Sequence, residues 1–142
     1  MPVAKFLSPL GEEIDIADVS KLKQLVLTRG EEYWSIGSGE AGIDFVKNGQ
    51  VSKLRLIFYK GLGFHIVYLD PEGNRFISLG PGTFDQLVAP RVGGDPLYLP
   101  AKFFLSPQTT WQVIKSFCNS GRQSPRVSWA NSEELDWRPP SS

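Results

Sequence analysis

Apolar residues recur along this chain in two rhythms, and the switch between them divides it into elements. Between residues 54 and 79 the rhythm is that of strands. Leu54 to Lys60, Gly63 to Leu69 and Arg75 to Leu79 are rich in aromatic and branched residues, with reversals at Gly61-Leu62 and Asp70-Pro71-Glu72-Gly73-Asn74. They predict an antiparallel meander. Within it Leu54, Leu56 and Phe58 fall on one side and Arg55, Ile57 and Tyr59 on the other, and Phe64, Ile66 and Tyr68 likewise oppose His65, Val67 and Leu69. Apolar groups on both sides predict either a sheet covered twice or one that shows a semi-apolar face to a partner.

The helical rhythm comes at the two ends. Val19, Leu22, Leu25 and Val26 share one side of a helix that Asp18 can cap, running to about Arg29 and closed by Gly30. Near the C-terminus, Ser106 is a good N-cap and Pro107 stands where its missing N–H is no loss. Trp111, Ile114, Phe117 and Cys118 then line a core face, leaving Gln112, Lys115 and Ser116 to water. Gly121 suits the left-handed position past the helix end. Pro125 bars further helix, so Arg126 to Ala130, with Val127 and Trp129 inward, predicts a strand. Further strands are expected at Val3 to Leu7, Tyr33 to Gly37 and Ile43 to Lys47, the last two joined through a Ser-Gly-Glu-Ala-Gly turn. Asn48-Gly49 signals the next reversal. Residues 80–98, rich in Gly and Pro, predict a long loop with at most a helical fragment near Phe84 to Val88. The expected class is α+β: a mostly antiparallel sheet packed by two helices, with a C-terminal helix–turn–strand unit. One domain over residues 1–135 and a tail over 136–142 are expected.

That C-terminal unit resembles the deaminase-associated immunity family of bacterial polymorphic toxin systems. The matching residues are Phe103 and Phe104 before the helix, Phe117 near its end, Gly121, and Val127 with Trp129, roughly a quarter of the chain. Family members carry Arg-Pro where this chain has Gln123 and Ser124, with Pro125 one place later, so the turn departs from the family pattern. The resemblance implies a noncatalytic protein that binds and neutralises a cognate toxin domain, with nucleic-acid deaminases among the toxins.

Composition bounds the remaining choices. The 142 residues, 41% apolar and 12% aromatic, are enough for one buried core without metals or staples. Fifteen bases balance fifteen acids, which removes the simplest support for nonspecific binding to nucleic acid or membrane surfaces. Residues 1–44 nevertheless hold eight acids against four bases, an excess of four negative charges. The lone Cys118 excludes an intrachain disulfide or a multi-cysteine zinc site and reads as a buried thiol in a reducing compartment. The N-terminus has no secretory core and no segment approaches the roughly 18 apolar residues of a membrane span. The cytoplasm is the expected compartment.

Candidate chemistry is sparse. The single histidine, His65, lies mid-strand with no motif-linked nucleophile, and a Cys118–His65 dyad has no recognised nucleophile context. With two His or Cys residues in all, a hydrolytic zinc site is not expected, nor is any cofactor. Gly37-Ser38-Gly39 and Gly80-Pro81-Gly82 lack the lysine and following helix of a phosphate loop and read as turns. Arg55, Tyr59, Lys60, Phe64 and Tyr68 could form a stacking platform for single-stranded nucleic acid, although the same residues describe an ordinary core with solvated edges. The immunity reading instead needs a surface to meet a basic substrate groove. Its candidate contacts are Glu12, Glu13, Glu31, Glu32, Glu40 and Asp44 near turns, with Tyr33 and Trp34 as aromatic anchors. Solvated acids at turns and a core Trp34 are the plainer reading of the same positions.

Overall fold

Alternating apolar residues on successive short strands can bury one side only by lying edge to edge beneath a second layer. The computed structural model of the protein describes residues 3–16 and 19–135 and shows that arrangement. In chain order the strands are β1 (Val3–Leu7), β2 (Glu13–Asp15), β3 (Glu40–Lys47), β4 (Gln50–Tyr59), β5 (Gly63–Leu69), β6 (Arg75–Leu79), β7 (Leu87–Val88), β8 (Arg91–Val92), β9 (Asp95–Pro96), β10 (Leu99–Pro100), β11 (Phe104–Leu105) and β12 (Ser128–Asn131). The helices are α1 (Val19–Thr28), α2 (Glu31–Trp34) and α3 (Pro107–Ser120). The main sheet runs β12-β6-β5-β4-β3-β1-β2, with β11 beside the first half of β5. Every pairing in it is antiparallel. The fold is α+β, as the two rhythms predict.

Helices α1 and α3 cover one face. Phe6, Ile43, Leu54, Phe64, Ile66 and Tyr68 meet Leu22 and Val26 of α1 and Trp111, Val113, Ile114 and Phe117 of α3 in one continuous core. The C-terminal unit forms as its residues dictate. Ser106 Oγ accepts from the Thr109 N–H at 3.2 Å, and Gly121 takes φ +72° at the helix end. A Cβ on Gly121 would strike the Phe45 ring, so both conformation and space require glycine there. The Tyr68 hydroxyl donates to Gly121 O at 2.9 Å and its ring packs on Phe117 and Trp129, tying the unit to the middle of the sheet.

Several expectations are corrected. Residues 33–37 are not a strand, because 31–34 form the short helix α2. Burial wins there over strand propensity: Trp34 is 1% exposed, edge-on to Phe6 and Phe64, with its indole N–H donating to Leu25 O at 3.0 Å. Helix α1 ends at Thr28, and Gly30, expected to close it, sits at φ −118° as the residue that leads into α2. Strand β3 starts at Glu40 rather than Ile43, absorbing Glu40, Ala41 and Gly42 of the expected turn. The last strand begins at Ser128, after a turn in which Ser124 O accepts from the Trp129 indole at 2.9 Å. No helical fragment forms at 84–88, where Leu87–Val88 is a strand. The expected cap Asp18 and the tail 136–142 lie outside the described residues.

Candidate interaction surface

Residues directly opposite in antiparallel strands point to the same face, so strand register defines the face away from the helices. One row crosses it through Leu7, Gly42, Arg55, Val67 and Ile77. A second passes through Lys5, Asp44, Lys53, Leu69 and Arg75, and a third through Glu40, Ile57, His65 and Phe104. Toward β1 and β2 this face carries charges of both signs. Lys5 Nζ lies 2.8 Å from Glu13 Oε1, and Arg55 reaches Glu40 at 3.7 Å.

The opposite half of the face is covered by the segment expected to be an irregular loop. Residues 83–102 fold back on themselves as a two-stranded ribbon, held by Lys102 N–H to Thr83 O, Ala101 N–H to Gln86 O, the β7–β10 pair and Leu97 N–H to Pro90 O. The β8–β9 pair forms its far end. That end is pinned to the 37–39 turn: Gly93 N–H donates to Ser38 O at 2.8 Å, and a Cβ on Gly39 would strike the Arg91 carbonyl. Under the ribbon Leu99, Phe103 and Phe104 form a second apolar cluster with Ile77, Leu79 and Val88. Its solvent side keeps Leu87 and Tyr98, 45% and 46% exposed. The sheet is therefore covered twice over β5, β6 and the end of β4 that carries Ile57 and Tyr59, and is more open toward β1–β3.

At the border between open and covered halves lies a cleft of about 310 Å3, lined by Glu40, Arg55, Ile57, His65, Val67, Leu69, Arg75 and Leu97. His65 sits within it at 5% exposure. Its Nδ1 is 3.1 Å from Phe103 O, and a carbonyl only accepts, so Nδ1 carries the proton and Nε2 is left as an acceptor. Burial drives its pKa down to about 4, against the Phe103 hydrogen bond and with the help of the nearby Arg75 charge, so the ring is neutral at physiological pH.

The eight anticipated contacts fall into separate places. Glu13, Glu40 and Asp44 share the open face of the sheet by register. Glu31, Glu32 and Tyr33 belong to α2. Glu12 lies close enough to this corner to add to the burial that raises the Tyr33 pKa. These acids are matched by cations: Glu31 lies 4.0 Å from Lys60, and Glu32 lies 3.1 Å from Arg29. Two contacts from the Gly30 N–H, then Arg29, hold the Glu32 carboxyl below its ordinary range. Trp34 is core, so the anchor role falls away. Alternation already placed Arg55 and His65 in the right strands, whereas nothing in residues 80–98 marked Leu97 as a wall.

The other candidate chemistry separates across the sheet. Cys118 packs toward the helix-side core, and burial pushes its thiol up to about 11, while His65 belongs to the opposite face. They form no dyad. Phe64 and Tyr68 are enclosed beneath the helices as core residues, so they are not available to the alternative stacking platform. Among the described residues no cluster of His, Cys, Asp and Glu is placed to hold a metal, and no helix is long and apolar enough to cross a membrane. No protein-family model matches the chain, and no curated protein matches it.

Proposed function

We propose that this chain is a noncatalytic neutraliser of a protein toxin, acting in the cytoplasm by covering the toxin's active site or substrate path. The observation that carries this reading is the composite surface on one side of the sheet. The open charged lattice of Lys5, Glu13, Glu40, Asp44, Lys53 and Arg55 lies on the same side as a ribbon whose Leu87, Leu97 and Tyr98 remain exposed. Charged groups setting register around apolar and aromatic contacts is the composition of a protein–protein interface. The C-terminal helix–turn–strand unit, which carries the resemblance to deaminase-associated immunity proteins, supports the choice of a toxin as partner, a nucleic-acid deaminase among them. Enclosure of Phe64 and Tyr68 counts against the stacking alternative.

Coexpression with the toxin domain encoded beside its gene tests the proposal. Surviving cells and a complex that copurifies through gel filtration are expected. Death of the cells without a complex would reject it, and salt-sensitive retention on single-stranded oligonucleotides by the isolated chain would put nucleic-acid binding in its place.

A further inference from the structure

We infer that the cleft between the sheet and the ribbon is a binding site for an α-carboxylate that carries an adjacent N–H and an aliphatic side chain, the chemistry of an amino acid or of the last residue of a peptide. The inference does not depend on the toxin-neutralising role.

Three features of the lining specify that ligand. First, Arg55 and the exposed Arg75 both line one small cleft, with Arg55 held only by a long 3.7 Å contact to Glu40 and Arg75 without an ion-pair partner among the described residues. Guanidinium forks match a carboxylate with two hydrogen bonds. Second, the cleft also contains an unpartnered acceptor. His65 Nε2 has no hydrogen-bond partner among the described residues although the residue is only 5% exposed. Among the described residues the one fully enclosed side-chain polar atom without a partner is Ser78 Oγ, so Nε2 reaches the cleft rather than being sealed in the core. An acceptor facing the cleft asks the ligand for a donor, while the Glu40 carboxylate in the same lining is turned to Arg55. Third, Ile57, Val67, Leu69 and Leu97 supply an aliphatic floor and wall.

A bare phosphate satisfies the arginines but presents no N–H to His65. A nucleobase would want an aromatic face to stack on, and the rings nearest the site, Phe103 and Phe104, are spent on the His65 ring. An α-carboxylate with its own N–H offers an acceptor to the arginines and a donor to His65, and a volume of about 310 Å3 accommodates a single residue rather than a longer segment.

His65 is the only histidine, so protein labelled with 15N-histidine gives one imidazole spin system and a direct view of Nε2. Titration with N-acetyl-leucine is expected to move the Nε2 resonance as it accepts a hydrogen bond. N-acetyl-leucinamide, which lacks the carboxylate, should bind at least about tenfold more weakly, and Arg75→Gln should weaken N-acetyl-leucine by a similar factor. Leu97→Ala, at an exposed ribbon position, provides a second variant in case the arginine change perturbs folding, and it too should weaken binding. Comparison of leucine with N-acetyl-leucine separates the two sources: tighter leucine points to a free amino acid, tighter N-acetyl-leucine to a chain end. An unmoved Nε2 signal, an amide that binds as well as the acid, or a stronger response to cytidine monophosphate would each overturn the assignment.

Discussion

Ser78 is fully buried on β6 beside Trp129, and its hydroxyl has no partner among the described residues. A buried hydroxyl that exchanges water for nothing costs about 1–3 kcal/mol, so Ser78→Ala should raise the urea midpoint, with a gain of about 1 kcal/mol. A loss of that size would mean that the hydroxyl is satisfied in solution. His65 makes a pH-dependent prediction. Above its ordinary value of 6.5 the folded and unfolded states are both neutral there. As pH falls toward 4 the unfolded chain takes up a proton that the folded chain, buried and facing Arg75, refuses. Stability is therefore lost on acidification across that window, by about 2 to 3 kcal/mol near about pH 4.5. Thermal unfolding of the wild type and His65→Gln at both ends of the window checks this: the variant should lack that part of the decline, and parallel curves would refute the assignment.

Elements form here where a local signal agrees with what packs on them. The start and stop of α3 are both local: Ser106 caps and Gly121 turns. Ser106→Ala should cost about 1 kcal/mol, the ordinary value of an N-cap. Gly121→Ala should cost more, about 3 kcal/mol, because a left-handed alanine and a collision with Phe45 act together. Equal losses in denaturant unfolding would show that the Phe45 ring yields freely. Segment 31–34 shows the opposite case. Tyr33-Trp34 has the side chains of a strand, yet enclosing Trp34 between Phe6 and Phe64 turns the chain into a helix, a gain that only the assembled core supplies. The ribbon was illegible for a related reason. Its pairs are short, contain Pro96 and Pro100, and are stabilised by lying on the sheet rather than by alternation along the strand.

For the molecule as a whole, the register of β1–β4 decides which acids can act together. Glu40→Lys with Asp44→Lys changes the open sheet face, whereas Glu31→Lys with Glu32→Lys changes the α2 corner. If the sheet face meets a basic groove, the first pair should slow association with the toxin by about tenfold at low salt and the second by less, with the difference closing at high salt. Surface association kinetics at two ionic strengths decide it; unchanged rates for the first pair would remove the open face from the interface. Much of this molecule was determined by sequence alone. The meander at 54–79, the capped α3, the turn at Gly121 and the α+β class all follow from residues near in sequence, because caps, turns and alternation act over a few positions. Only the tertiary structure decided that residues 83–102 lie over the sheet, that Trp34 is core, and that Arg55, His65, Arg75 and Leu97 line one cleft. Those placements depend on strand order and on burial between segments far apart in the chain, and no local pattern encodes either.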